Sequence, residues 1–138
     1  MNATFKPDGT QAQPLTPGFE PDGAEGCPIR EVLDRVGDTW SVLVIIGLKD
    51  RPVRFNALKR GIEGISQRML TVTLRSLERD GLVRRTVRPT TPPEVEYSLT
   101  ALGLSLADPI GALGSWASAN RSAMRRARKE FDAGQAAA

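Results

Sequence analysis

The sequence predicts a mainly α domain with a small β-hairpin, and three observations carry that prediction. Residues 55–60 read as a short helix, Gly61-Ile62-Glu63-Gly64 as a turn, and Ser66 as the N-cap of a longer helix that Gly81 ends. Two alternating stretches, Val83–Arg88 and Glu94–Leu99, flank a Pro-rich tip and form a hairpin. Helical periodicity continues on both sides of this unit. Together these features describe a winged helix-turn-helix, a fold whose second helix fits a DNA major groove.

Each element has a local cause. Residues 1–26 hold Pro7, Pro14, Pro17, Pro21 and four glycines with few apolar side chains. They bury too little to offset the entropy of ordering, so they read as a disordered arm. Order is expected from Cys27. Pro28 suits a first helical position, and Ile29, Val32, Leu33 and Val36 recur at helical spacing up to Gly37. Asp38 caps a second helix over 39–48, apolar nearly all round and so read as a central core helix. In the helix-turn-helix, Phe55, Leu58 and Ile62 point inward, and Ile65, Met69, Leu70, Thr73, Leu74 and Leu77 form the buried stripe of the long helix. Gln67, Arg68, Thr71, Val72 and Arg75 lie off that stripe.

In the hairpin, Arg84, Thr86 and Arg88 share one face, and Val95, Tyr97 and Leu99 point inward. Thr100 caps a further helix, and Pro109 is expected to break or kink it, because proline lacks the N–H that continues the hydrogen-bond ladder. Ile110, Leu113, Trp116, Ala117, Ala119 and Met124 outline a last amphipathic helix that frays after Phe131. The ordered domain is thus placed at 27–132, with 133–138 as a disordered tail.

Charge narrows the function. The chain of 138 residues carries a formal +3, unevenly spread. The arm sets Lys6 against Asp8, Glu20, Asp22 and Glu25, whereas 54–91 holds nine Arg or Lys against Glu63, Glu78 and Asp80. A second basic run occupies Arg121–Lys129. Clustering of this kind favours a polyanionic partner, double-stranded DNA above all. The chain has no histidine, one cysteine, no phosphate-cradling Gly-rich loop and no zinc pattern. Neither catalysis nor a cofactor or metal is expected. The longest apolar run, 42–46, is far below the roughly 20 residues that span a bilayer, and no signal peptide is visible, so a cytoplasmic protein without membrane attachment is expected.

Neutralising phosphates gives affinity, and base edges in the major groove give sequence choice. Gln67, Arg68 and Thr71, on the first exposed turns of the long helix, are the expected base readers. Ser66 and the free amides beside it suit a phosphate. Arg54 and Arg75 are expected to clamp backbone, and Arg84, Arg88, Thr90 and Thr91 to reach the flanking minor groove or its phosphates. Ion pairing of any one arginine with Glu63, Glu78 or Glu96 is the bland alternative. Strand alternation puts Arg85 on the Val83/Val87 face, where it can pair internally. A winged helix used only for protein–protein assembly is the competing function; a steep salt dependence of duplex binding separates the two.

The order and spacing of several short strings resemble the HxlR-type family of bacterial transcription regulators, relatives of the MarR group. They are Cys27-Pro28, Gly37-Asp38-Thr39-Trp40, 54–58, 64–70, 74–78, Gly81-Leu82-Val83, 95–100 and Gly103. The resemblance covers roughly 27–118. It implies a homodimer, paired through its first and last helices, that binds an operator. The acidic arm and the basic tail depart from the family pattern. The resemblance also bears on Cys27, since several members sense oxidants or electrophiles through a cysteine near this position. A thiol beside a helix N-terminus is more readily ionised, and one cysteine per chain limits oxidation to a sulfenic acid, a mixed disulfide or a bridge between subunits. Cys27 is therefore a redox-sensing candidate; the alternative is a small buried side chain against the partner chain. A small-molecule effector would need a cavity between the terminal helices, near Trp40 or Trp116.

Overall fold

A computed structural model describes residues 28–137; the arm over 1–26, Cys27 and Ala138 lie outside the described residues. The elements are α1 (Pro28–Val36), α2 (Thr39–Gly47), β1 (Val53–Arg54), α3 (Phe55–Gly61), α4 (Gln67–Arg79), β2 (Val83–Arg88), β3 (Glu94–Leu99) and α5 (Ala101–Ala137). The three strands form one antiparallel sheet in the order β1-β3-β2. The mainly α fold with its hairpin is therefore present, with one strand added. Val53 and Arg54 escape sequence reading because two residues carry no period; they become a strand only because β3 offers a free edge, pairing Val53 with Tyr97 and Arg54 with Glu96.

Local chemistry sets the ends of the helices. The Asp38 carboxylate accepts from the Ser41 N–H at 2.9 Å and the Ser41 hydroxyl at 2.8 Å, starting α2. The Ser66 hydroxyl accepts from the Met69 N–H at 3.0 Å, starting α4. Gly64, in the turn between α3 and α4, has φ +83°, and Gly81, after α4, has φ +77°; side chains other than glycine rarely adopt either value. At Gly81 the Leu82 N–H reaches the Leu77 carbonyl and the Gly81 N–H the Glu78 carbonyl, each at 3.0 Å, which closes α4 as a Schellman motif.

Thr100 joins the hairpin to α5. Its N–H donates to the Leu82 carbonyl at 3.0 Å, its hydroxyl donates to the Gly81 carbonyl at 2.6 Å, and the same oxygen accepts from the Gly103 N–H at 3.1 Å. The core gathers Val44, Ile45 and Leu48 of α2 and its end with Leu58, Leu70, Leu74, Leu77, Leu82, Leu99 and Ala107.

Four expectations are corrected. Helix α2 buries Val44 and Ile45 completely but leaves Leu43 and Ile46 exposed, because the protomer supplies packing on one side only. Met69 is exposed, because it sits at the edge of the stripe that Leu70, Thr73, Leu74 and Leu77 bury. Pro109 does not end a helix: α5 runs unbroken through it. Leu106, Ala107 and Ile110 on either side pack on one core, and that burial outweighs the roughly 3 kcal/mol an interior proline costs. Residues 132–137 continue α5 as helix, so neither fraying after Phe131 nor a tail beginning at 133 is seen up to Ala137.

At 37 residues α5 is roughly 55 Å long, and beyond Gly111 every described residue except the half-buried Asn120 is exposed. The apolar stripe of α1 is likewise open, with Val36 its one buried residue. No helix among the described residues is long and apolar enough to cross a membrane.

Candidate nucleic-acid interface

Helix α4 divides cleanly into two edges. Leu70, Thr73, Leu74 and Leu77 are buried, while Gln67, Arg68, Thr71, Val72 and Arg75 are exposed, as the helical period requires. At its N-terminus the Gln67 and Arg68 N–H groups have no carbonyl one turn earlier to reach. Ser66 spends an oxygen lone pair on the Met69 N–H and keeps its own proton available. Thr71 does the reverse: its hydroxyl donates to the Gln67 carbonyl at 2.9 Å, so it presents a methyl group and acceptor lone pairs outward.

The hairpin meets α4 along β2. Register places Arg85 opposite Tyr97 and Thr86 opposite Glu96. One sheet face therefore carries Val83, Arg85, Val87, Val95, Tyr97 and Leu99, and the other Arg54, Arg84, Thr86, Arg88, Glu94 and Glu96. On this second face one expected backbone clamp, Arg54, and one expected wing contact, Arg88, are engaged within the protomer. Arg54 binds Glu94 at 2.7 Å and Arg88 binds Glu96 at 3.1 Å. The two carboxylates lie on the central strand, within reach of arginines on both neighbours. Arg68, Arg75, Arg84 and Arg85 form no ion pair among the described residues.

Arg85 corrects an expectation. It is exposed and pairs with no acid; it lines a notch of about 450 Å³ with Thr71, Arg75, Glu78 and Tyr97, where the helix and the wing diverge. Alternation located its face correctly, but only the way α4 and β3 meet around the notch shows that this face opens to solvent at residue 85. At the wing tip the Thr90 hydroxyl donates to the Pro92 carbonyl at 2.7 Å, closing the turn and leaving Thr91 exposed beside it.

A larger groove of about 520 Å³ lies between α1, the end of α4 and the first half of α5. Val32, Leu82, Leu102 and Leu106 line it, with Arg35 and Asp80 at its polar edge, and neither Trp40 nor Trp116 takes part. One carboxylate oxygen of Asp80 is buried there without a hydrogen-bond partner.

The helix-turn-helix has counterparts among known proteins. The family model described as HxlR-like helix-turn-helix matches residues 35–125. The regulator YtfH of Escherichia coli strain K12, named an HTH-type transcriptional regulator, is 44% identical over 97 residues, which cover 70% of this chain and 77% of YtfH. Among solved structures, the transcriptional regulator YtfH of Salmonella typhimurium superposes with a TM-score of 0.69 at 42% identity, over 77% of this chain and 95% of that one. The redox regulator HypR in its reduced form gives a TM-score of 0.69 at 38% identity, over 72% of this chain and 98% of that one. The chain belongs to the HxlR-like helix-turn-helix family of DNA-binding transcriptional regulators.

Proposed function

We propose that the protein works as a homodimer on an operator, each protomer laying the exposed edge of α4 in a major groove. The supporting observation is the division of that helix: one edge is sealed in the core, and the other carries Arg68 and Arg75 without acidic partners. In this reading Gln67 and Arg68 contact bases, Thr71 offers its methyl to a thymine, and Ser66 with the free amides beside it holds a phosphate. Arg75 and Arg84 contact backbone, with Thr90 and Thr91 at the wing tip. Arg54 and Arg88 contribute once they leave Glu94 and Glu96.

Dimerisation through α1 and α5 follows from what one protomer leaves uncovered. Ile29, Val32 and Leu33 on α1, and Leu102, Leu113, Trp116, Met124 and Phe131 on α5, are exposed apolar side chains. Contiguous apolar surface of this kind marks an interface rather than a solvated face.

Replacing Arg68 with alanine tests the reading helix. Operator binding weakens by roughly 1–3 kcal/mol and selectivity relaxes at one base pair. Unchanged affinity and selectivity in a gel-shift titration rule the assignment out.

The similarity to HypR, a redox regulator known in oxidised and reduced forms, supports a redox role for Cys27. Oxidant then lowers operator affinity in the wild type and leaves Cys27→Ser unaffected. Equal loss in both proteins removes the thiol from the mechanism.

A further inference from the structure

Thr71, Arg75 and Glu78 fall at i, i+4 and i+7 of α4, so a single edge of the helix faces the wing. Across the notch stand Arg85 of β2 and Tyr97 of β3, directly opposed in the sheet. Arg85 is the polar break in an otherwise apolar row: Val83 before it is buried, and Val87 after it is half exposed. Arg85 is exposed, and no acid binds it among the described residues.

The position of the notch suggests its use. With α4 in a major groove and the hairpin tip in the flanking minor groove, the sugar-phosphate strand separating those grooves must pass through the angle between them. That angle is the notch. Of the residues that line it, Arg75, Arg85 and Tyr97 carry hydrogen-bond donors, while Thr71 offers none because its proton is already given to Gln67. The lining residues thus carry two guanidinium charges and one carboxylate, Glu78, a net positive charge of one for an incoming anion.

We propose that this notch seats one phosphodiester of the DNA backbone, with Arg85 as the residue that grips it from the wing and Tyr97 as a second donor. The proposal rests on the placement of α4 in a major groove. Glu78 opposes the same phosphate and holds the affinity of the site below its maximum.

The experiment uses the full chain and two duplexes of about 25 base pairs, long enough for two half-sites. One is enriched from a random pool by the wild-type protein, and the other is its scrambled counterpart. Fluorescence anisotropy is followed across a salt series. Arg85→Ala weakens binding to both duplexes roughly tenfold, as loss of a charge-assisted contact does, and leaves their ratio intact. The slope of log affinity against log salt becomes shallower by about one, the value of a single phosphate, and Arg85→Lys restores it. Tyr97→Phe weakens both about threefold. Glu78→Gln strengthens both. A single neutral methylphosphonate at the gripped position weakens the wild type and has no effect on Arg85→Ala.

Retention of full affinity by Arg85→Ala, or a loss confined to the enriched duplex, overturns the notch while leaving α4 in its groove. Failure of the wild-type protein to enrich any duplex from the random pool overturns both placements together.

Discussion

Arg54, Arg68, Arg75, Arg84, Arg85 and Arg88 share a side chain and a charge, and their neighbours alone divide them. Glu94 and Glu96 hold Arg54 and Arg88; the other four have no acid within bonding distance among the described residues. Ion pairs as exposed as these contribute about 0–1 kcal/mol to stability, so their effect on the fold is small. Their effect on charge is larger, because each removes one cation from the surface offered to DNA. Replacing Glu96 with glutamine is expected to change unfolding free energy in urea by less than about 1 kcal/mol. It also frees Arg88, so duplex affinity at low salt rises. An unchanged affinity means that Arg88 plays no part in binding.

At the scale of elements, the hairpin and the start of α5 are held by one small residue. A Cβ on Gly103 would run into the Leu82 carbonyl oxygen and come within 3.2 Å of a Leu99 methyl. The same carbonyl accepts from the Thr100 N–H, so it cannot retreat without loosening the join. Gly103→Ala is therefore expected to destabilise the protein by roughly 1–3 kcal/mol, read as a lower denaturation midpoint. A midpoint equal to the wild type shows that α5 can ride outward at no cost. The Schellman end of α4 has a related role: it turns the chain within two residues and starts β2 at the base of the notch.

Across the whole molecule, most of α5 and nearly all of α1 touch no core of their own. Leu113 and Trp116 are 64% and 56% exposed, and such large apolar side chains in a row need a partner surface. Replacing both with glutamate is expected to leave the helical signal of the protomer intact and to yield a monomer in sedimentation velocity. Operator affinity then falls, since one half-site is held instead of two. A wild-type protein that sediments as a monomer at every concentration contradicts the paired arrangement.

What the sequence determined by itself is local. Asp38, Ser66 and Thr100 start helices through bonds to groups three residues away, and Gly64 and Gly81 permit turns that other residues resist. The α4 stripe and the bounds of β2 and β3 follow from periods of 3.6 and 2, which a chain carries wherever it packs. Only the tertiary structure decided the rest. Strand β1 exists because β3 has an open edge, α5 passes through Pro109 because burial on both sides outweighs one missing bond, and Arg85 opens to solvent because α4 leaves a notch beside β2 and β3. Two arginines expected at the DNA surface are bound by acids 8 and 40 residues away in sequence. Periodicity and capping act between near neighbours, whereas charge pairing and exposure depend on which distant segments meet, and that is settled by the packing of the whole chain.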